Sequence, residues 1–203
     1  SRAEQSRDCY IDFFKILACV AVVGLHTLQK DISLLNSTLY YLCGFAVPAF
    51  FMASGAFLVN RKAVTWKYVI RKIFNILRVV VLWNLIIILL QCAAKVLLQT
   101  DYEFTVLTIP EEIVKSLVQK GTMWQFWYFG ALIIIYVLLF FLTRMTGKQK
   151  RIFLFVSGVA AISFQVCSMI TGTPVQMNVN QTFRMWTWLL YFIGGGLMYC
   201  YVN

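Results

Sequence analysis

Long uncharged apolar runs alternate with short charged segments along this chain, and that alternation predicts its elements. Six runs reach or approach the roughly 20 residues that an α-helix needs to cross a hydrocarbon core. They lie at about Tyr10–Leu28, within Ser37–Val59, within Val79–Gln99, at Gly121–Thr143, from Ile152 to near Thr171, and at Met185–Tyr201. A helix satisfies its own backbone hydrogen bonds where water is absent, so each run is expected to span as a helix. The expected fold class is therefore all-α, a polytopic transmembrane helix bundle of about six spans.

The charges orient the bundle. Eleven of the eighteen basic residues fall in three places: Arg2 and Arg7; Arg61, Lys62, Lys67, Arg71 and Lys72; and Arg144, Lys148, Lys150 and Arg151. These are alternate ends of the apolar runs, which by the positive-inside rule puts them, with the N-terminus, in the cytoplasm. Segments 29–36, 100–120 and 171–184 then face outward, carrying Asp31, Asp101, Glu103, Glu111 and Glu112. In the second of these, Thr108 is a candidate helix cap and Pro110 falls in the first turn. Ile113, Val114, Leu117 and Val118 form one apolar stripe, so a short helix lying flat on the outer surface is expected. Tyr40 and Tyr41, Trp124 to Tyr128, and Trp186 with Trp188 crowd the span ends as interfacial anchors.

The apolar centre of the first run, Ile16–Leu28, has the outline of a signal peptide behind a basic segment. No small-x-small cleavage site follows, and Lys15 and His26 interrupt it, so a retained helix is expected.

Composition narrows the function classes. At 61% hydrophobic and 13% charged residues, the chain lies outside the soluble range of roughly 45–50% apolar and about 25% charged. The formal net charge of +10 raises the question of nucleic acid, but its confinement to membrane-flanking segments assigns it to a lipid surface instead. No nucleic-acid partner is expected. The six cysteines lie mostly inside apolar runs without CxxC or Cys/His spacing, and read as small packing residues. With one histidine, no metal site is implied.

Ionisable groups inside a span are costly and are functional candidates by default. Lys15 and His26 are eleven residues apart, close to three helical turns, about 16 Å of rise and roughly 20° of offset. They share a face, with Lys15 toward the inner end and His26 toward the outer. Imidazole suits proton transfer near neutral pH, and a hydroxyl acceptor must lose a proton as it attacks a carbonyl, so His26 is the leading general-base candidate. The bland alternative has His26 bonding a neighbouring helix and Lys15 snorkelling to headgroups.

Three further features carry weight. In Ala46–Val59, Pro48 is expected to interrupt a helix, and Ser54-Gly55 offers a small close-packing surface. The basic stretch Lys67–Arg78 suits lipid phosphates and the phosphates of a nucleotide cofactor equally well. Trp127 and Tyr136 are nine residues apart, half a turn from a shared facing.

Four segments in order resemble the family-3 membrane acyltransferases, bacterial proteins that O-acylate surface polysaccharides, peptidoglycan and related glycans. DFFKILACVAVVGLH resembles the family's opening pattern of a basic residue, ten residues and histidine, here Lys15 and His26. VPAFFMASGAFLV is similar to its Pro-x-Phe-Phe-x-x-Ser-Gly-x-x-Leu stretch, at Pro48, Phe50, Phe51, Ser54, Gly55 and Leu58. IRKIFNILRVVVLW resembles its basic stretch leading to a span with tryptophan, here Arg71, Lys72 and Trp83, and WYFGALIIIYVLL its helix with Trp127 and Tyr136. LLYFIGGGLMY is similar to a Phe-x-x-Gly helix. The chain departs from the pattern with lysine at 15, where arginine is usual, and with Val79 and Phe140, where proline is frequent.

The resemblance implies one domain over 1–203, incomplete at its C-terminus against the ten or so spans of family members, with later helices or a soluble domain as missing partners. It implies an acyl group, acetyl in the first instance, arriving on acyl-CoA from the cytoplasm and passing to a hydroxyl of a cell-surface glycan or related acceptor. The location would be the bacterial inner membrane. Arg71 and Lys72 would hold the coenzyme's phosphates, Lys15 would steer charge, and His26 would activate the acceptor or receive the acyl group, with Ser54, Trp127 and Tyr136 as further site candidates. A second class remains open: uptake of a small polar solute such as D- or L-serine, since the superfamily includes the membrane half of vancomycin-resistance serine racemases.

Overall fold

A computed structural model of the protein describes residues 9–27, 34–98, 105 and 107–202. Arg2, Arg7, Leu28, Asp31, Asp101 and Glu103, used above for orientation, lie outside the described residues. The described residues are helical: α1 (Cys9–Thr27), α2 (Leu34–Cys43), α3 (Ala46–Leu58), α4 (Trp66–Leu98), α5 (Thr108–Leu117), α6 (Trp127–Leu142), α7 (Gly147–Thr171), α8 (Val175–Asn178) and α9 (Met185–Val202). Short 3₁₀ turns at Trp124–Phe126 and Gln181–Phe183 precede α6 and α9.

Five stretches are long and apolar enough to cross a bilayer by length and composition: α1, α2 with α3, α4, the turn with α6, and α7. The sixth expected span is α9, 18 residues long. It is rich in aromatic residues and carries three consecutive glycines, Gly194 to Gly196. That composition suits its place, because α9 is packed between α3 and α7 and carries much of the core.

The second span is not one kinked helix. It breaks at the turn Gly44-Phe45, where the Gly44 N–H donates to the Tyr41 carbonyl at 3.0 Å. Pro48 is the third residue of α3, where the N–H it lacks would have had no helical partner. The chain break therefore comes from the glycine turn, and the proline starts a helix instead of bending one.

α4 has 33 residues, about 50 Å of helix, against a hydrocarbon core of about 30 Å. The surplus is nearly its first four turns, which hold the basic stretch from Lys67 to Arg78. α7 begins at Gly147, earlier than its apolar run, because Thr146 and Gln149 form a reciprocal capping box. In α5, Thr108 is the first helical residue and not the cap, and Leu107 stands before it.

The α3–α9 seam fixes the centre. A methyl group added at Gly55 would overlap the Phe192 carbonyl, and one at Gly195 would overlap the Met52 backbone. Small residues here let two backbones touch, the means by which helices associate where lipid removes the hydrophobic driving force. Phe51, Phe192, Ile193, Ile135 and Leu139 are fully buried around this seam with Trp127 and Trp188.

Side chains then tie the two ends separately. At the basic end, the Lys150 ammonium donates to the Val59 carbonyl at 2.7 Å, Arg144 to the Val64 carbonyl at 3.1 Å, and the Val64 N–H to Thr143 Oγ1 at 3.2 Å. At the opposite end, the Thr182 hydroxyl donates to the Leu117 carbonyl at 2.8 Å and Asn180 to the Val118 carbonyl at 2.9 Å. α5 is not merely resting on a surface: its fully buried Ser116 accepts a hydrogen bond from buried Asn84 of α4 at 3.2 Å.

Candidate functional site

α1 leans on α3 through buried Ala18 and Ala21, and this contact turns the Lys15–His26 stripe toward the bundle. Lys15 lies 5.0 Å from the centre of the Phe57 ring of α3 and pairs with Asp12 one turn earlier at 3.5 Å. His26, at the far end of α1, meets the indole of Trp124 edge-on with centroids 5.7 Å apart. The imidazole is exposed.

His26 stands on a cavity of about 470 Å³ walled by α1, α2, α3 and the start of α6. Its lining is chiefly apolar and aromatic, from Val22, Leu25, Val47, Phe50 and Phe129 among others, with His26, Gln125 and the hydroxyls of Tyr40 and Tyr128 among its polar groups. Trp127 lines it too, and its indole packs against Trp188 at 5.2 Å, making that wall continuous with the core. Tyr128, another lining residue, packs on Phe51 at 4.9 Å, with its hydroxyl within electrostatic reach of Ser54. Ser54 is thus joined to this cavity through Tyr128.

The second site lies at the basic end. Arg61, Lys62, Tyr68 and Arg71 surround a cavity of about 360 Å³ floored by the 63–65 backbone. Arg61 donates to the Tyr68 hydroxyl at 3.0 Å, and Lys72 sits 5.6 Å from the centre of the same ring without lining the cavity. Tyr136, near the basic end of α6, is within electrostatic range of Tyr68 and Arg61. Three cations converging on one polar pocket attract a ligand with more than one negative charge.

The structure thus divides the sequence candidates between two ends. It brings His26, Trp127 and, through Tyr128, Ser54 to one cavity, and Arg71, Lys72 and Tyr136 to the neighbourhood of the other. Lys15 belongs to neither lining. Sequence reasoning missed Arg61 and Tyr68 as members of the basic cavity, and Trp124 and Tyr128 as partners of His26 and Ser54. Tyr68 follows Arg61 by seven residues across a loop, a spacing that carries no helical signal. Beneath α5, Gln181 Oε1 and Arg184 Nη2 are covered without a protein partner, and desolvation lowers the Arg184 pKa from its usual value.

An apolar chamber beside the exposed His26 imidazole thus lies at one end of the bundle, and a pocket lined by three cationic side chains at the other. The model of a family described as an acyltransferase domain matches residues 9–203, nearly the whole chain. The chain belongs to the family-3 acyltransferases. As a membrane acyltransferase, it has its matched region spread over both cavities, so neither end stands outside the family's domain. No match to it was found among curated proteins or among solved structures.

Proposed function

We propose that this acyltransferase takes its acyl group from acyl-CoA at the cytoplasmic basic end and delivers it to a hydroxyl of a cell-surface glycan at the opposite end, in a bacterial inner membrane. The observation that carries this reading is His26, the single histidine, standing on an apolar-walled cavity that also takes Trp127. Arg61, Lys62 and Arg71 supply the cationic pocket for the coenzyme's phosphates, with Lys72 flanking it across Tyr68. Their positive-inside placement supports the cytoplasmic assignment.

The chemistry is an ester exchange. The acceptor oxygen bonds the acyl carbon as the carbon–sulfur bond of the thioester breaks. The hydroxyl proton passes to the His26 imidazole, which returns it to the departing thiolate. Lys15, with Asp12 beside it, positions charge along the same face of α1 about 16 Å away.

The test supplies membranes containing the intact protein with labelled acyl-CoA, from acetyl to octanoyl, and host glycan, comparing wild type with His26→Ala. Transfer onto glycan by wild type, reduced at least about a hundredfold in the variant, is expected for loss of a general base. Absence of transfer by wild type, or equal transfer by His26→Ala, removes the reading. Solute uptake by the same vesicles without label transfer would favour the transport class instead.

A further inference from the structure

The walls of the His26 cavity bear on which acyl group is transferred. Water-sized atoms occupy about 30 Å³ each in a liquid, so about 470 Å³ accommodates some fifteen heavy atoms. An acetyl group would leave most of it empty. The surfaces of Val22, Leu25, Val47, Phe50 and Phe129 offer no hydrogen bonds to hydroxyls, so a sugar would lose water there without compensation. The polar groups of the lining, on His26, Tyr40, Gln125 and Tyr128 with the indole N–H groups of Trp124 and Trp127, are few against this apolar wall.

We infer that this cavity receives the acyl chain itself, and that it is built for chains of medium length, longer than acetyl. This rests on the acyl-CoA reading above. The occupant follows from the position: in an acyltransferase, the part of the donor that must reach the proton-transferring imidazole is the acyl group. The apolar wall beside that imidazole therefore reads chain length. The acceptor hydroxyl approaches past exposed His26 and Trp124 from the aqueous side. During transfer the carbon–sulfur bond breaks and the carbon–oxygen bond forms at the mouth of the chamber, while the hydrocarbon tail stays inside.

The experiment measures kcat/KM for acetyl-, butyryl- and octanoyl-CoA in membranes of the intact protein. Each methylene buried in the chamber contributes about 0.8 kcal/mol, or roughly fourfold, so the constants should rise steeply from acetyl to octanoyl. Val47→Trp, which fills part of the chamber, should lower the octanoyl-to-acetyl ratio at least about tenfold by that measure. If Val47→Trp does not accumulate in membranes, Leu25→Phe makes the same comparison. A preference for acetyl-CoA, or a ratio unmoved by whichever variant accumulates, overturns the inference and leaves the chamber to lipid or to the acceptor. Absence of transfer from every acyl-CoA instead removes the donor reading on which it rests.

Discussion

His26 and Trp124 come from helices nearly a hundred residues apart, yet their rings meet edge-on with centroids 5.7 Å apart. The contact closes α1 against the turn that starts α6 and holds the imidazole at the mouth of the chamber. An aromatic pair of this kind is worth about 0.5–1.5 kcal/mol beyond burial. Trp124→Ala is therefore expected to lower kcat about threefold to tenfold, with the KM for acetyl-CoA, whose acyl group is too short to fill the chamber, little changed because the coenzyme is held at the distant basic cavity. Steady-state kinetics on both substrates check the split.

At the basic end, Arg61 and Arg71 face one pocket. Arg61→Ala and Arg71→Ala should each raise the KM for acyl-CoA by about tenfold, the loss of one charge-assisted contact of about 1.5 kcal/mol. The wild-type KM should also rise with salt. Lys72, which lies over Tyr68 outside the lining, should matter less when removed.

Lys150 is buried and its ammonium donates to the carbonyl of Val59, the C-cap residue of α3. A cation at a helix C-terminus satisfies an orphan carbonyl and meets the negative end of the helix dipole. Lys150→Met should cost about 1–3 kcal/mol, the penalty of a buried acceptor left unmade. In a chain of this size, that corresponds to a fall of several degrees in Tm. Thermal unfolding of the purified protein measures it.

Gly55 leaves no room for a side chain against the Phe192 carbonyl. Gly55→Leu should prevent α3 and α9 from meeting and abolish monodisperse protein in detergent. Gly147→Ala, at a position with open space, should not.

The spans were legible in the sequence because hydrocarbon thickness imposes a length and a composition on each helix. α9 matched its expected limits nearly to the residue, since Arg184 and the polar loop before it mark the start. The break at Gly44 was not legible. Pro48 is the stronger helix breaker in isolation, and only its position within the first turn makes it harmless. The docking of α5 was hidden for a similar reason. Its apolar stripe suggested a membrane surface, whereas the buried hydrogen bond between Asn84 and Ser116 joins two residues whose partnership is set by tertiary packing.

The site was legible in part. The Lys15–His26 spacing placed both residues on one face of α1, and the half-turn offset of Trp127 and Tyr136 agrees with their parting to different cavities. The cavities themselves were not legible. They arise where α1, α2 and α6 converge and where a loop folds Arg61 onto Tyr68, contacts without a local periodicity.

The central claim is that donor and acceptor are used on opposite sides of the membrane, with His26 at the acceptor side. Sealed right-side-out vesicles with labelled acyl-CoA either enclosed or added outside test it most directly. The account predicts label on external glycan only when acyl-CoA is enclosed, and none with His26→Ala. Equal labelling from external acyl-CoA, or labelling that survives His26→Ala, would contradict it.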